Sequence, residues 1–587
     1  MPDFEIDNLT VLLLSLLAAL GIYHRFFSTP QPLVHPLLLG KQSEVSAVRK
    51  KGETGVYRSW ATGQGTPLTV RPANTIKTVQ DVVEQPKATS PVTQRCILDV
   101  SLTDEALGEI LRLLPIGLQL LFPSIANPAS PSPILTLLPP SPTSALPLLL
   151  LSLSVRPNTP LIILPSPRLL TAGLTSKNHP TPGVVVVHAS LLDDVVEQVW
   201  EDCRDRVGIL IVGDPQKDGA STVKNARAKG LEVHWWEEIW DVAESEKGEQ
   251  VKLEATSILL GGTANQSSSK LLILWVSPYE MPLTPSQNFT AGMAALLSIF
   301  PADKRPSAVL HDTVASAVRL DTPLGMTIAL ATVWTGASFR LIGNAEPTWD
   351  PEEVDHAAEL EVLADPERKL PKPTILFISP KHHHALLDRL QYTYEAHPWA
   401  PLAARHKTSS IRAGHVDRHG LWDRVLWSGM RENVLGGIAG QRLRGVILVG
   451  DAPPPTALGA SHLLLSLPLT RLHPSVFSTG PVFCTHFYDL QSPGVSHILK
   501  EVDLWKSADK VHSGPPASNV EVRLKGEKVD EAFDAEGTAI SGRIWIRGPG
   551  ILERIDGKGE DQEGWVDIGE HAKVQTNGTF IVDNTLV

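Results

Sequence analysis

The sequence is poor in cysteine and has no cluster of positive charge. Its three cysteines, Cys96, Cys203 and Cys484, lie far apart among 587 residues, and no two have the spacing of metal ligands. An odd number of distant cysteines argues against a disulfide framework and fits a reducing compartment. The formal net charge is −12 and the basic residues are scattered. Because phosphate binding needs a clustered positive face, the sequence predicts no nucleic-acid partner.

Two kinds of catalytic or binding site also lack support in the sequence. No Gly-x-Ser-x-Gly element is present, which argues against a hydrolase built on that motif. The one histidine cluster is His382–His384. Adjacent histidines of a helix or strand point in different directions, and no carboxylate or cysteine has ligand spacing to them. We therefore expect an exposed polar loop there and predict no metal site.

The sequence has one long uncharged run, LTVLLLSLLAALGIY, near its amino terminus. As a helix it would cover roughly 22 Å, less than the ~30 Å hydrocarbon core of a bilayer. Extending it through Phe26 and Phe27 brings it close to spanning length. Acidic residues precede the run and basic residues follow it, which favours an uncleaved segment with the body in the cytosol. We predict a membrane anchor or monotopic insertion; a signal peptide and a buried helix are the alternatives.

The remaining chain predicts an α/β protein of at least two packed units, because its length exceeds the size at which one core keeps growing. β-branched runs alternate with amphipathic helices, which predicts a parallel sheet with helical crossovers. The pattern appears in GVVVVHAS, LLDDVVEQVWEDCRDR, VGILIVGDP, STVKNARAKG and LEVHWW, and again in KPTILFISP and RLRGVILVGDAPPP. From Ser518 onward, short strands with turns predict a β-rich unit. The Leu-, Pro- and Ser-rich segment 106–170 predicts buried strands and short helices, because prolines interrupt every span-length window.

These patterns divide the chain into five predicted segments. They are a membrane anchor (1–30), a cytosolic amino-terminal segment (31–95), a first α/β subdomain (96–250), a second α/β subdomain (251–480) and a β-rich carboxyl subdomain (481–587).

Several phrases occur in the order found in the long-chain acyl-CoA synthetases of the AMP-binding, adenylate-forming superfamily, and the sequence resembles that family from roughly Leu33 to its end. The phrases are GILIVGDPQKDG, LTPSQNFTAGMAALL, KPTILFISPKHHHALLDRLQ, GLWDRVLWSGMRENVLGG, SGRIWIRGPG and EGWVDIGE. The amino-terminal phrase PLVHPLLLGKQSEVSAVRKKGETGVYRSWATG is similar to fungal members. The resemblance implies the large-domain fold of adenylate-forming enzymes, with two layered α/β subdomains and a β-rich subdomain. It also implies ligation of a long-chain fatty acid to coenzyme A through an acyl-adenylate, with ATP, Mg²⁺ and coenzyme A.

The resemblance implies six candidate nucleotide-binding residues. The phrase VGDAPPP resembles the loop that lies against adenine: Gly450, Ala452 and Pro453 match, and Asp451 replaces a glycine. A strand-ending turn, which Gly and Pro favour, is the alternative interpretation. Thr485 stands for the threonine of the family's Tyr-Gly-x-Thr-Glu motif. Glu570 replaces the aspartate that holds the ribose hydroxyls and keeps the ability to accept their hydrogen bonds.

The sequence departs from the family where the triphosphate and Mg²⁺ bind. His486 takes the place of the Mg²⁺-binding glutamate, with Asp489 as a candidate replacement carboxylate. The segment before LTPSQNFTAG has no Gly, Thr or Lys and carries Glu280, whose charge repels phosphate. GGTANQSSSK, residues 261–270, is either a flexible surface loop or a displaced phosphate loop. After Phe580 only IVDNTLV follows, so we expect the family's mobile carboxyl-terminal domain and its lysine to be missing, and we assign no catalytic residue.

Three functional hypotheses remain open at this point. The first is a catalytically degenerate synthetase, a pseudoenzyme of fatty-acid metabolism, that binds a fatty acid, an acyl-CoA or a protein at the endoplasmic reticulum or lipid-droplet membrane. The second is an active divergent long-chain fatty acid–CoA ligase. The third is a non-catalytic scaffold that binds an active synthetase. The apolar stretches 291–300 and 324–341 either line an acyl tunnel or belong to the core.

Overall fold

The computed structural model describes most of the chain. The described residues are 7–26, 31–84, 94–126, 132–154, 160–177, 179, 181–202, 207–214, 220–245, 273–275, 282–284, 286–343, 349, 354–367, 369–420, 422–491, 494–534, 539–554 and 559–583.

Seventeen α-helices and twenty-two strands form the described structure. The helices are α1 (Asn8–Phe26), α2 (Pro36–Gly40), α3 (Asp81–Glu84), α4 (Asp104–Leu121), α5 (Pro142–Ser154), α6 (Leu170–Thr175), α7 (Leu192–Asp202), α8 (Ala220–Ala228), α9 (Glu238–Ala243), α10 (Ser286–Ser298), α11 (Pro323–Thr335), α12 (His356–Val362), α13 (Pro380–Glu395), α14 (Ala400–Arg412), α15 (Ser428–Leu435), α16 (Pro455–Leu465) and α17 (Glu527–Asp534). The strands are β1 (Ser43–Val45), β2 (Tyr57–Ser59), β3 (Arg95–Ile97), β4 (Val100–Leu102), β5 (Ile134–Leu137), β6 (Leu161–Ile163), β7 (Val184–His188), β8 (Gly208–Val212), β9 (Val233–Trp235), β10 (Ile273–Trp275), β11 (Pro282–Thr284), β12 (Thr313–Ser316), β13 (Ser338–Leu341), β14 (Ile375–Ile378), β15 (Gly445–Val449), β16 (Leu469–His473), β17 (Phe483–Cys484), β18 (Glu521–Lys525), β19 (Ser541–Arg547), β20 (Glu553–Arg554), β21 (Val566–Val574) and β22 (Phe580–Asp583).

The first eight-stranded sheet has the order β20-β11-β10-β6-β5-β7-β8-β9. Strands β10, β6, β5, β7, β8 and β9 are parallel neighbours. Helices α7 and α8 form crossovers between β7, β8 and β9, and all five residues of β8 are buried. A parallel strand covered on both faces favours a continuous β-branched run, so the parallel sheet predicted from this pattern is confirmed.

The second eight-stranded sheet has the order β17-β16-β15-β14-β12-β13-β3-β4. Its central strands β16, β15, β14, β12, β13 and β3 are parallel, which confirms the strands predicted at KPTILFISP and RLRGVILVGD. Helices α13 and α16 precede and follow β15 in the chain and pack with α14 and α15 in one apolar cluster. The carboxyl ends of β14, β15 and β16 therefore lie along one edge of this sheet.

The third sheet is antiparallel, with the order β1-β2-β18-β19-β21-β22. Its last four strands confirm the β-rich unit predicted after Ser518. Its first two strands come from residues 43–59, and β2 joins β18 through the pairing of Tyr57 with Val522. The amino-terminal segment thus completes a sheet whose other strands lie more than 460 residues later in the chain.

The main apolar core lies between the two eight-stranded sheets. Helices α4, α5, α10 and α11 contribute to one cluster that also contains inward-facing residues of both sheets, such as Val184 and Val314. Every residue of α11 is buried. The apolar stretches 291–300 and 324–341 contribute to this cluster, so most of their side chains serve packing.

The uncharged amino-terminal run forms α1, a helix of 19 residues. Its apolar side chains are exposed, as Leu12 at 63% and Leu17 at 65% illustrate, so the buried-helix alternative is wrong. In the part of the chain that the structure describes, no helix combines the length and apolarity needed to cross a bilayer. The predicted amino-terminal membrane-spanning helix is therefore not found among the described residues.

The histidine cluster does not lie in a loop. His382, His383 and His384 form the first turn of α13, after Pro380 and the capping residue Ser379. Proline at the first helical position and serine at the N-cap both favour a helix start. His382 and His383 are buried, at 3% and 1% exposure. The predicted exposed loop is therefore wrong, because Ser379 and Pro380 favour the start of a helix more strongly than the polar composition of the segment favours a loop.

Candidate functional site

The predicted nucleotide-binding residues lie around the carboxyl ends of β15 and β16. In parallel α/β sheets ligands bind at this edge, because loops and helix starts leave backbone groups available there. The residues Gly450–Pro453 follow β15 directly and lead into α16. The loop therefore lies at the edge of the sheet where α/β proteins commonly bind ligands.

Gly450 fixes the path of this loop. Its N–H donates to Leu472 O at 2.9 Å, which ties the loop to β16. Its φ is +116°, a conformation that favours glycine, and a Cβ there would lie 3.4 Å from Pro380 Cδ. Pro453 O accepts from Val511 N at 3.2 Å. These contacts explain the glycine and proline as a strand-ending turn, and the adenine-binding role stays a prediction.

The two middle residues of the loop differ in their surroundings. Asp451 is exposed, whereas Ala452 is partly buried against the cluster formed by α13, α14 and α16. Asp451 therefore lies at the protein surface, and Ala452 packs inward.

Thr485 is directed into the sheet and not toward solvent. It is 1% exposed, its Oγ1 accepts from Arg471 N at 3.0 Å, and its N–H donates to Arg471 O at 3.0 Å. The next residue, His486, is exposed, and its Nδ1 accepts from Tyr488 N at 3.2 Å. At the two positions of the family's Thr-Glu pair, the chain thus presents a sheet-bonded hydroxyl and an imidazole.

Asp489 is engaged by internal partners. It is 4% exposed, accepts from Gln42 Nε2 at 3.2 Å, and lies 3.4 Å from His512 Nε2. The Asp489 carboxylate therefore holds buried polar groups together. Its role as a replacement carboxylate for Mg²⁺ stays a prediction.

Glu570, in the middle of β21, meets His473 at the end of β16. Glu570 Oε2 lies 2.5 Å from His473 Nε2, with His473 buried at 4% side-chain exposure and Glu570 at 25%. Nearby, Arg543 forms an ion pair with Asp567 at 2.9 Å. The carboxylate predicted to hold ribose is thus bonded to the protein itself, a contact that the sequence pattern did not indicate.

Arg471 adds a buried positive charge beneath the site. It is 1% exposed, and its Nε donates to His512 O at 3.1 Å. Within the described residues, its Nη1 and Nη2 have no hydrogen-bond partner. Burial lowers the pKa of Arg471 to about 10, while Asp489 acts in the opposite direction. The guanidinium therefore remains charged at neutral pH.

The structure brings three of the six predicted positions to one strand. Gly450 contacts Leu472, Thr485 contacts Arg471, and Glu570 contacts His473. Arg471 and His473 were missed because LTRLH is typical of an ordinary strand. The segment GGTANQSSSK and the residue Glu280 lie outside the described residues.

The chain matches no protein-family model and no curated protein. It is similar in structure to the amino-terminal domain of FACL13 from Mycobacterium tuberculosis, with a TM-score of 0.51, 11% identity, and coverage of 87% of this chain and 100% of that one. It is similar to the anthranilate CoA ligase AuaEII, with a TM-score of 0.52, 12% identity and coverage of 88% and 78%.

A third similar structure is the A domain of carboxylic acid reductase from Segniliparus rugosus, bound to AMP and a carboxylic acid, with a TM-score of 0.52, 14% identity and coverage of 82% and 67%. Each likeness covers more than four fifths of this chain. The chain therefore has the fold of the adenylate-forming enzymes.

Proposed function

We propose that the protein is an acyl-CoA synthetase-like protein of fatty-acid metabolism whose nucleotide site is catalytically degenerate. It binds a fatty acid or acyl-CoA, or a protein partner, without efficient formation of an acyl-adenylate. The fold and the position of the VGDAPPP loop support the family relationship. The contacts of the candidate site support the loss of activity.

The observation that carries this proposal is the bond between His473 and Glu570. Glu570 could hold a ribose through both of its oxygens only if Oε2 gave up its 2.5 Å contact with a buried imidazole. Breaking a hydrogen bond to a charged group costs about 1.5–3 kcal/mol, which reduces the net gain from the ribose hydroxyls. His486 stands where the resembling motif has a glutamate, so a hard oxygen ligand for Mg²⁺ is missing at that position.

Calorimetry with Mg-ATP tests the proposal directly. We expect no saturable heat in the micromolar range for the full-length protein, and no pyrophosphate release with a long-chain fatty acid and coenzyme A. Glu570→Ala serves as the matched variant and should behave as wild type in both assays. Micromolar Mg-ATP binding that Glu570→Ala abolishes would reject the proposal and support the active divergent ligase.

Acyl binding is tested separately with a fluorescent fatty acid. We expect displacement by unlabelled long-chain fatty acid or acyl-CoA in the absence of nucleotide, because burial of each CH₂ contributes about 0.8 kcal/mol. Absence of displacement would remove the ligand-binding role and leave the scaffold hypothesis, in which the partner is an active synthetase.

We further propose that α1 attaches the protein to the surface of the endoplasmic reticulum or a lipid droplet, with the body facing the cytosol. The supporting observation is the row of exposed apolar side chains, including Leu9, Leu12 and Leu17, since a contiguous exposed apolar patch commonly marks a membrane or protein contact. Flotation with phospholipid vesicles tests it: the full-length protein should float, and a variant without residues 1–30 should not. Equal behaviour of the two proteins would reject the attachment.

A further inference from the structure

Two histidines and a glutamate converge at a place where no site was expected from the sequence. His356 Nδ1 lies 3.1 Å from Glu359 Oε2, and His382 Nε2 lies 3.0 Å from the same oxygen. One ligand-type atom of each residue lies within 4.8 Å of the others. The two imidazole rings have their centroids 4.6 Å apart, so all three side chains face one small volume.

These distances suit a common metal ion. Zinc binds imidazole nitrogen and carboxylate oxygen at about 2.0–2.2 Å in tetrahedral geometry, which places two ligand atoms roughly 3.3 Å apart. The two distances from Glu359 are within a few tenths of an ångström of that separation. Small side-chain movements would therefore convert the hydrogen-bonded arrangement into a coordination shell.

Local structure holds the three side chains in place. His356 and Glu359 are three residues apart on α12, so they share one face of the helix. Asp355 caps this helix by accepting from Ala357 N and Ala358 N. Both ligands of α12 are thus positioned before any ion binds.

His382 is oriented by a partner on its other nitrogen. Its Nδ1 lies 2.7 Å from Ser379 Oγ, which leaves Nε2 directed at Glu359. Histidines that bind metals usually have their second nitrogen bonded in this way, and the bond fixes the ring orientation. Ser379 therefore has the place of a supporting residue for a metal ligand.

The cluster is buried on one side and accessible on the other. Glu359 and His382 are 8% and 3% exposed, and a Cβ on Gly343, just after β13, would lie 3.7 Å from Glu359 Oε1. His356 borders an open cavity of about 660 Å³ that Pro380, Lys381 and Trp505 also line. In the described part of the chain, His356 Nε2 is a buried atom without a hydrogen-bond partner, so this nitrogen has no hydrogen bond to lose, whereas Nδ1 would exchange its contact with Glu359 for the ion.

We propose that His356, Glu359 and His382 bind one divalent transition-metal ion of the Zn²⁺ type. Two imidazole nitrogens and one carboxylate oxygen are the protein ligands, and the remaining coordination position faces the cavity beside His356. Two histidines and one glutamate with an open position form one of the recurrent zinc sites in proteins. The ion can therefore take water or an oxygen- or nitrogen-bearing small ligand from the cavity.

Titration of the full-length protein with Co²⁺ and Zn²⁺ tests this site. We expect one Co²⁺ per chain, with the strong visible absorption of a four-coordinate ion, and displacement of Co²⁺ by Zn²⁺. His356→Ala and Glu359→Gln should each weaken binding by more than the roughly 10- to 100-fold that loss of a supporting residue causes. Because no nucleotide or acyl compound is present, the outcome does not depend on the proposed function.

His384→Ala is the matched control. His384 lies on the same turn of α13 and lines the same cavity, but it forms an ion pair with Asp388 at 2.9 Å and stacks on Trp505. We expect this variant to bind Co²⁺ as wild type. Equal loss of binding in His384→Ala, or unchanged binding in His356→Ala, would overturn the proposal.

Ser379→Ala gives a graded test through His382. Loss of the Ser379 hydroxyl should weaken Co²⁺ affinity about 10- to 100-fold while one ion still binds. Circular dichroism of every variant separates loss of metal from loss of fold, and His356→Ala is the safest variant because its side chain is 20% exposed. Absence of a four-coordinate Co²⁺ spectrum in folded wild type would assign the cluster a purely structural role.

Discussion

His473 and Glu570 form a contact between two different sheets. His473 is the last residue of β16 in the parallel sheet, Glu570 lies in the antiparallel β21, and the contact between them is 2.5 Å. The contact spans 97 residues of chain. It therefore contributes both to the docking of the β-rich unit and to the chemistry of the candidate nucleotide site.

A double-mutant cycle on this pair should show a coupling free energy of about 0.5–3 kcal/mol in unfolding, since residues in direct contact couple in that range. The variants are His473→Ala, Glu570→Ala and the double mutant, measured by urea denaturation. The control is the pair Arg543–Asp567, in which Arg543 is 52% exposed. There the coupling should stay below about 1 kcal/mol because solvent screens the charges. Equal coupling in the two cycles would contradict the special role of the His473 contact.

The buried charge cluster around Asp423 should be sensitive to loss of this carboxylate. Lys407 Nζ lies 2.9 Å from both Asp423 oxygens, and Arg431 Nη1 lies 2.7 Å from Oδ1. Burial lowers the pKa of Lys407 to about 8, while Asp423 acts to keep it protonated. Asp423→Asn leaves two buried cations uncompensated, so we expect a loss of about 3–5 kcal/mol in the free energy of unfolding.

Asp388→Asn is the control for this prediction, because Asp388 is 52% exposed and pairs only at the surface with His384. Its effect should stay within about 0.5 kcal/mol. Thermal denaturation measures both variants under the same conditions. Similar melting temperatures for Asp423→Asn and Asp388→Asn would contradict the prediction.

The sequence predicted those parts of the fold that are encoded locally. Strands such as β8 and β15 are buried on both faces, and this burial selects the continuous β-branched runs that the sequence shows. Strands β1 and β2 were not predicted, because three-residue strands have no periodic pattern. Their place is fixed by pairing with β18, hundreds of residues away.

The nucleotide-binding role of the candidate residues stays a prediction, and the internal contacts of the candidate site were not predicted. Gly450 was predicted from its motif because a tight turn restricts the amino-acid type. The pairing of Glu570 with His473 depends on how two sheets pack, which no local pattern specifies. His382 was misjudged for a related reason: adjacent histidines do point in different directions, but only one of them has to reach Glu359.

Two buried histidines should make the protein sensitive to mild acid. Burial lowers the pKa of His462 and His512 to about 4 each, and Arg471 and Asp489 are the charged groups that face them. Between pH 6.5 and about 4 the unfolded chain binds protons that the folded chain does not. The free energy of unfolding therefore falls as pH falls through this window, by up to about 1.4 kcal/mol per pH unit for each histidine.

His462→Gln checks the assignment because glutamine keeps a hydrogen-bonding group but does not titrate. Its unfolding free energy, measured by urea denaturation, should fall less steeply between pH 6.5 and about 4 than that of wild type. The exposed His384→Gln serves as the control for the substitution itself. A His462→Gln slope identical to that of wild type would refute this source of acid sensitivity.

A pair of helical glycines should respond in opposite directions to a single methyl group. In α16, a Cβ on Gly459 would lie 2.5 Å from Gly494 O, a backbone atom that cannot move away without shifting its segment. In α15, a Cβ on Gly429 would meet nothing within 4 Å. Gly459→Ala should therefore destabilise the protein by about 1–3 kcal/mol through overpacking. Gly429→Ala should stabilise it by about 0.5–1 kcal/mol, because alanine loses less backbone entropy in a helix. Differential scanning fluorimetry of both variants beside wild type measures the signs. A stabilising or absent shift for Gly459→Ala would show that α16 does not pack this closely against residue 494.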